Sequence, residues 1–256
     1  MNLEKLLYEF NSNEQTSGLS SPLHALDARA KLLVTLLFLI FVLSLPLSNL
    51  AGLIFFCVYP IISCAMGGIS YGQIFRRSLL VLPFIVFIGI FNPILDKRVV
   101  FYIGSVGITA GWISFVAIVL RGLLSVQAVV ILIFTTGFYN FCQGMRRMVI
   151  PVLFTTQLLF VYRYIFVLLQ EVLNMQRAIA ARSFGRKSYP FRFWGILVGQ
   201  LLIRTMTRSE RIHRAMLARG FNGSIQTNFS MVWKMKDTAY LITWSILFIG
   251  LRFLIR

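Results

Sequence analysis

The sequence predicts an all-α polytopic membrane protein, with about five transmembrane helices and a basic helical module. Three observations carry that reading. Apolar residues make up 58% of the chain, and the mean hydropathy is +0.80. Only 13% of residues are charged, against about a quarter in a soluble domain. The net charge of +17 is concentrated in one region. Between Glu171 and Lys236 stand Arg177, Arg182, Arg186, Lys187, Arg192, Arg204, Arg208, Arg211, Arg214, Arg219, Lys234 and Lys236, opposed by Glu171 and Glu210 alone.

Taken in order, residues 1–29 carry Glu4, Glu9, Glu14 and Asp27 and no long apolar run. They read as a cytoplasmic segment without a cleavable signal peptide, so the first span itself targets the chain to the membrane. An apolar run from Lys31 to about Met66 is interrupted by Pro46, Ser48 and Asn49. It divides into spans at 30–47 and 49–66, each near the lower length limit for crossing. A third span covers 78–95, with Pro83 and Pro93 inside or at its end. A fourth runs from about Gly111 to Thr136, and a fifth from Tyr240 to Ile255. The chain then divides into the N-terminal segment 1–29, a membrane part 30–137, a cytoplasmic-face module 138–238 and a C-terminal span 239–256. Arg29 and Lys31, Arg76 and Arg77, and Arg146 and Arg147 fall on one side under this count. The positive-inside rule makes that side cytoplasmic; the expected location of this multi-pass chain is a bacterial or archaeal plasma membrane.

Val149–Gln170 is long enough to cross, but a crossing there would turn the basic region outward. It also carries Pro151, Gln157, Tyr162, Arg163 and Tyr164. The expectation is a helix buried in protein or tilted at the cytoplasmic interface. Phe193–Ile203 is too short to span and reads as an amphipathic surface helix. That apolar break, with Arg residues at helical repeats, points to a protein or lipid partner rather than nucleic acid. Arg121 is the one charge deep in a span. It reads either as a contact to a partner or switch, or as a side chain snorkelling outward from a span that starts near Gly122.

Several chemistries have no residues to carry them. The sequence holds no G-x-x-x-x-G-K-[ST] loop, so nucleotide binding by a P-loop is not expected. It has no H-E-x-x-H, and His24 and His213 stand far apart. The predicted spans contain no acidic residue, which argues against an ion pathway within this chain. Asp27, Asp96 and Asp237 are isolated in sequence, unlike the clustered carboxylates that hold Mg²⁺ in a lipid-phosphate transferase. Cys57, Cys64 and Cys142 form no C-x-x-C pair and read as free buried thiols, and the scattered methionines as packing. The expectation is a non-catalytic chain that binds no metal or cofactor itself.

Two short stretches nearly repeat: Ala181-Arg182-Ser183-Phe184-Gly185 and Ala218-Arg219-Gly220-Phe221-Asn222-Gly223. Each follows a run of good helix formers, residues 173–182 and 209–219. Gly220 is a natural helix stop; Ser183 with Gly185 serves less well. An Arg in a last helical turn complements the helix dipole, but that does not explain Ala before and Phe after at matched offsets. Ala permits close approach, Phe offers an apolar anchor, and Arg offers a bidentate charge for a carboxylate. The pair reads as two docking ends for a two-part soluble partner.

The N-terminal stretch from Ser21 to Leu32 (SPLHALDARAKL) resembles the opening of the T component of energy-coupling factor (ECF) transporters, the CbiQ/EcfT family. So do Arg121-Gly122-Leu123-Leu124 with Thr135-Thr136, Tyr162-Arg163-Tyr164 with Glu171, and the two Ala-Arg motifs. The resemblance covers almost the whole chain in order. The Leu-Asp-x-Arg opening and the Tyr-Arg-Tyr stretch are most similar to the cobalt-type branch, found with cobalamin synthesis. It implies a membrane scaffold whose coupling helices end in Ala181-Arg182-Ser183 and Ala218-Arg219-Gly220, which dock into grooves on two ATP-binding-cassette subunits. Tyr162, Arg163, Glu171, Phe184 and Phe221 support that region. It also implies a separate substrate-binding membrane subunit, of cobalt type, often with a small accessory membrane protein; ATP and Mg²⁺ stay on the ATPases. Two departures stand out: Ser183 replaces Gly in the first motif, and Ala28 stands where Pro is common, which should only loosen entry to span one. The same scaffold could serve nickel, biotin or other vitamins. A conventional importer permease, which Glu171–Gly185 matches loosely, normally has one coupling loop per chain rather than two.

Overall fold

The computed structural model describes residues 21–46, 49–96, 98–103, 106–148, 150–182, 190–223 and 233–254. The chain divides into two compact units; one holds the described residues up to 144 together with 233–254, the other holds 145–223.

In the first unit, helix α1 (Ala28–Ser44) starts at Asp27, whose carboxylate accepts from the Arg29 N–H at 2.9 Å. That satisfies one orphan donor of the first turn, so Ala28 at the first helical position leaves the helix start well capped. Ala30, Val34, Phe38 and Val42 recur every fourth residue and are all buried, the stripe of a helix facing a core. Leu45 leaves in an extended conformation before Pro46, as the proline ring requires of its predecessor. The second span is α2 (Leu50–Phe56) and α3 (Val58–Gly67). Asn49 caps it, accepting from Gly52 at 3.1 Å, and Pro60, which lacks an N–H, follows the break at Cys57. Gly68 ends it at φ +64°.

The third span is not the single 78–95 helix expected. It is α4 (Tyr71–Ser78), α5 (Leu82–Gly89) and α6 (Phe91–Leu95), bent by 49° between α4 and the segment that follows. Pro83 at the start of α5 lacks the donor that would carry the helix through the break. An antiparallel ribbon follows, β1 (Val99–Ile103) and β2 (Val106–Thr109), pairing Phe101 with Ile108 and Ile103 with Val106. It was not anticipated, although its Val and Ile content favours a pleated strand.

Helix α7 (Ala110–Thr136) is the long span against which α1 to α6 pack. It is followed by α8 (Phe138–Arg147), whose Gly144 lies against Ala28 and Leu32, and by α11 (Met235–Leu254), numbered after two helices of the other unit. Phe38, Phe56, Tyr59, Trp244 and Phe248 form the centre, with Phe38 and Tyr59 stacked at 4.4 Å and Tyr59 edge-on to Trp244 at 4.8 Å. Cys64 and Cys142 are buried and Cys57 half-buried, all three as free thiols; burial pushes the Cys142 thiol up to about 11.

Gly111 sits where a Cβ would stand 2.6 Å from the Asn92 carbonyl and 2.7 Å from that of Asp96. Neither backbone can step aside cheaply. Gly111→Ala is expected to cost about 1–3 kcal/mol, read as a lower thermal midpoint in detergent. An unchanged midpoint would mean that α6 and α7 are less tightly docked.

The second unit is two long helices, α9 (Val152–Arg182) and α10 (Phe191–Ala218). Both correct the sequence reading. Val149–Gln170 and 173–182 are not separate pieces: from Val152 onward they form one helix of 31 residues. Within its unit this helix buries only Thr155, Thr156 and Leu173, so it is not enclosed by protein there. Phe193–Ile203 is no short surface helix either, but the first part of a 28-residue helix that begins at Pro190 and continues through the basic run. Among the described residues, four helical segments can cross a membrane by length and composition, residues 50–67, α7, α9 and α11, or five with the bent 71–94 pair counted as one. α1, at 17 residues, is slightly shorter.

Candidate functional site: two basic helix ends and a buried charge cluster

The end of α10 is built by backbone bonds. The Gly220 N–H donates to Leu217 O and the Phe221 N–H donates to Met216 O, each at 3.0 Å. This is the paired 5→2 and 6→1 closure of a Schellman motif, with Gly220 at φ +80° supplying the left-handed turn. The expected stop at Gly220 is therefore realised. Phe221 then folds back, half-buried, with its ring 6.0 Å from Phe160 of α9. Ala218, Arg219 and Gly220 are left exposed at the tip. Gly220→Ala forces a left-handed conformation on an L side chain, at about 1–2 kcal/mol. Faster amide exchange at Gly220 and Phe221 with the α10 midsection unchanged is the expected result; unchanged exchange would refute this role for the glycine.

At the other tip, Ala181 and Arg182 are exposed and Arg182 is the last residue of α9. Ser183, Phe184 and Gly185 lie outside the described residues. Glu171 pairs with Arg204 of α10 at 2.9 Å. Tyr162 is half-buried and meets Phe166 edge-on at 5.3 Å; Arg163 is exposed. Beside the Glu171–Arg204 pair an open groove of about 360 Å³ runs between the helices, edged by Arg208 and Arg211. A second groove of about 420 Å³ is floored by Phe160, Tyr164, Leu168 and Met216. The unit thus exposes cationic helix ends and a basic stripe. Among the described residues no group of three or more His, Cys, Asp or Glu could hold a metal ion.

A cluster in the first unit escaped the sequence reading. Asp27 and Asp237, isolated in sequence, converge: the Asp27 N–H donates to Asp237 Oδ1 at 2.8 Å, and the Lys234 N–H donates to Asp237 Oδ2 at 2.7 Å. Lys31, 4% exposed, donates from Nζ to the Thr135 carbonyl at 2.9 Å, and both carboxylates attract its ammonium. Lys31 thereby places a cation at the C-terminal end of α7, where the helix dipole favours one. Arg121 returns the arrangement. It lies well inside α7, which begins at Ala110, and donates to the Leu45 carbonyl at the end of α1. The helix does not start near Gly122, and the guanidinium closes a helix of its own chain. Arg252 of α11 reaches the same end, donating to Ser44 Oγ at 3.2 Å. The contacts 31 to 135 and 45 to 121 make α1 and α7 antiparallel; 27 to 237 and 44 to 252 make α1 and α11 parallel. The C-terminus of α7 and the N-terminus of α11 therefore lie at the same end of this unit.

Fold and site together define a multi-pass helical membrane protein that offers basic helix ends. Residues 19–231 match the family model described as CbiQ, cobalt transport protein, and the chain belongs to that family. It is thus of the T-component type, the membrane scaffold of ECF-type transporters. It is 28% identical over 255 residues to an uncharacterized protein of Methanocaldococcus jannaschii, covering 94% of this chain and 86% of that one. The nickel permease LarQ of Lactiplantibacillus plantarum is 32% identical over 89 residues, 35% of this chain and 33% of LarQ. A second uncharacterized M. jannaschii protein is 28% identical over 107 residues, 41% of this chain and 40% of its own.

Proposed function

We propose that this chain relays the work of two partner ATPases to a substrate-binding membrane subunit that imports a divalent metal, with cobalt for cobalamin synthesis as the cargo. Arg182 and Arg219 are the docking charges. Each engages an acidic groove residue on one ATPase, and closure of the ATPases on ATP moves α9 and α10. The observation that carries this is the built end of α10, where a Schellman closure holds Ala218-Arg219-Gly220 exposed, in a chain whose family match spans 19–231. Lys31, Asp27 and Asp237 add a topological argument. Residues 138–234 leave and re-enter at the same end of the first unit, so α9 and α10 either both cross the bilayer or both stay on one face. Staying on the cytoplasmic face, as one module, agrees with the charge of α10. A nickel cargo is the second reading, favoured by the likeness to a nickel permease.

A mild-detergent pull-down of the tagged chain from its native membrane, with bound proteins identified and counted, tests the proposal. Two ATPase copies and a membrane subunit of metal-binding type are expected. Recovery of the chain alone, or as a homodimer, in a detergent that preserves such complexes would overturn it.

A further inference from the structure

An apolar groove of about 460 Å³ runs along α11 in the first unit, walled by Leu26, Ile62, Met66, Trp244 and Leu247. Lys236 stands at one end and is the only charge among the described residues that line it. Just before it, Trp233 and Lys234 are exposed, the pairing of aromatic ring and cation that marks a membrane interface. From Lys236 to Leu247 the helix rises about 16 Å at 1.5 Å per residue. Half of a hydrocarbon core is about 15 Å, so the groove has the depth of one leaflet. Its walls are α3, α11 and the turn from Pro22 to Leu26 that precedes α1; α3 and α11 are both parts of membrane-length segments, so the groove lies at the level of lipid.

We propose that this groove holds one acyl chain of an anionic phospholipid, with the headgroup phosphate against Lys236. The match is in both length and charge: an apolar slot one leaflet deep, ending in a single exposed ammonium. A zwitterionic lipid fills the slot equally well but gains less from the lysine. The site involves none of the ATPase-docking residues, so it stands or falls independently of the energy-relay reading.

The test uses the full chain in vesicles, with Trp112, Trp194 and Trp233 replaced by Phe so that Trp244 is the reporter. Phosphatidylglycerol and phosphatidylcholine with brominated acyl chains are each titrated against their unbrominated forms, and quenching gives the relative binding constant. One lysine near a headgroup predicts about fivefold preference for phosphatidylglycerol. Lys236→Gln should bring that ratio to about one, and Thr243→Phe, which narrows the slot, should reduce quenching by both lipids. Equal quenching by the two lipids, a preference unchanged in Lys236→Gln, or no quenching of Trp244 at all because protein fills the groove, would each overturn the proposal.

Discussion

Replacing Arg182 and Arg219 together with glutamate is expected to abolish co-purification of the ATPase subunits while the chain still inserts in the membrane. The expectation follows from where those side chains stand. Both are exposed at the ends of their helices, so charge reversal removes no packing within the chain. Each substitution sets one carboxylate against another, which costs several kcal/mol where the pair is desolvated. Two such sites lower affinity by about a thousandfold or more. The single substitutions separate docking from mere attraction: one reversed site should leave a partial complex with fewer ATPase copies. If the double variant binds its ATPases as well as the parent does, the two helix ends are not the docking sites.

Asp237→Ala is expected to be the most damaging single change in the membrane unit. It removes the acceptor for two backbone N–H groups, those of Asp27 and Lys234, and one of the two carboxylates among the described residues that attract the buried Lys31. Leaving a buried N–H without its acceptor costs about 1–3 kcal/mol each, and loss of the carboxylate that attracts the Lys31 ammonium adds to it. The thermal midpoint in detergent should fall steeply, along with the amount of folded chain recovered. Asp237→Asn, which keeps an oxygen to accept from the Asp27 N–H, should cost clearly less than Asp237→Ala. An Asp237→Ala variant as stable as the parent would show that the cluster contributes nothing.

The helical class and most span positions were legible because they depend on local composition. Alternating-turn burial along α1 follows from Ala30, Val34, Phe38 and Val42, and the stop at Gly220 follows from a residue type that alone tolerates the turn. The breaks were harder to place. Pro83 and Pro93 were visible, but a proline shows only where a hydrogen bond is missing, not how the helix bends to compensate. The length of α9 and α10 was misjudged for a related reason. Residues 149–170 and 173–182 were read for different features, polarity against a crossing in one and helix-end motifs in the other, although nothing between them stops a helix. The Asp27–Lys31–Asp237 cluster needed tertiary information, since its carboxylates are 210 positions apart. One clue was there: a lysine in an apolar run is almost never fully buried unless it finds a partner.

Both ends of α1 are completed by residues synthesised long after it. Asp237 joins Asp27 at its start, and Arg121 and Arg252 reach Ser44 and Leu45 at its finish. During biogenesis α1 thus waits with a lysine that lacks one of its counter-charges and, until α7 is made, with the Leu45 carbonyl lacking its donor. Chains halted before α11 lack the acceptor for the Asp27 N–H and one of the carboxylates that attract Lys31, so α1 is complete at its start only when the last helix is in place.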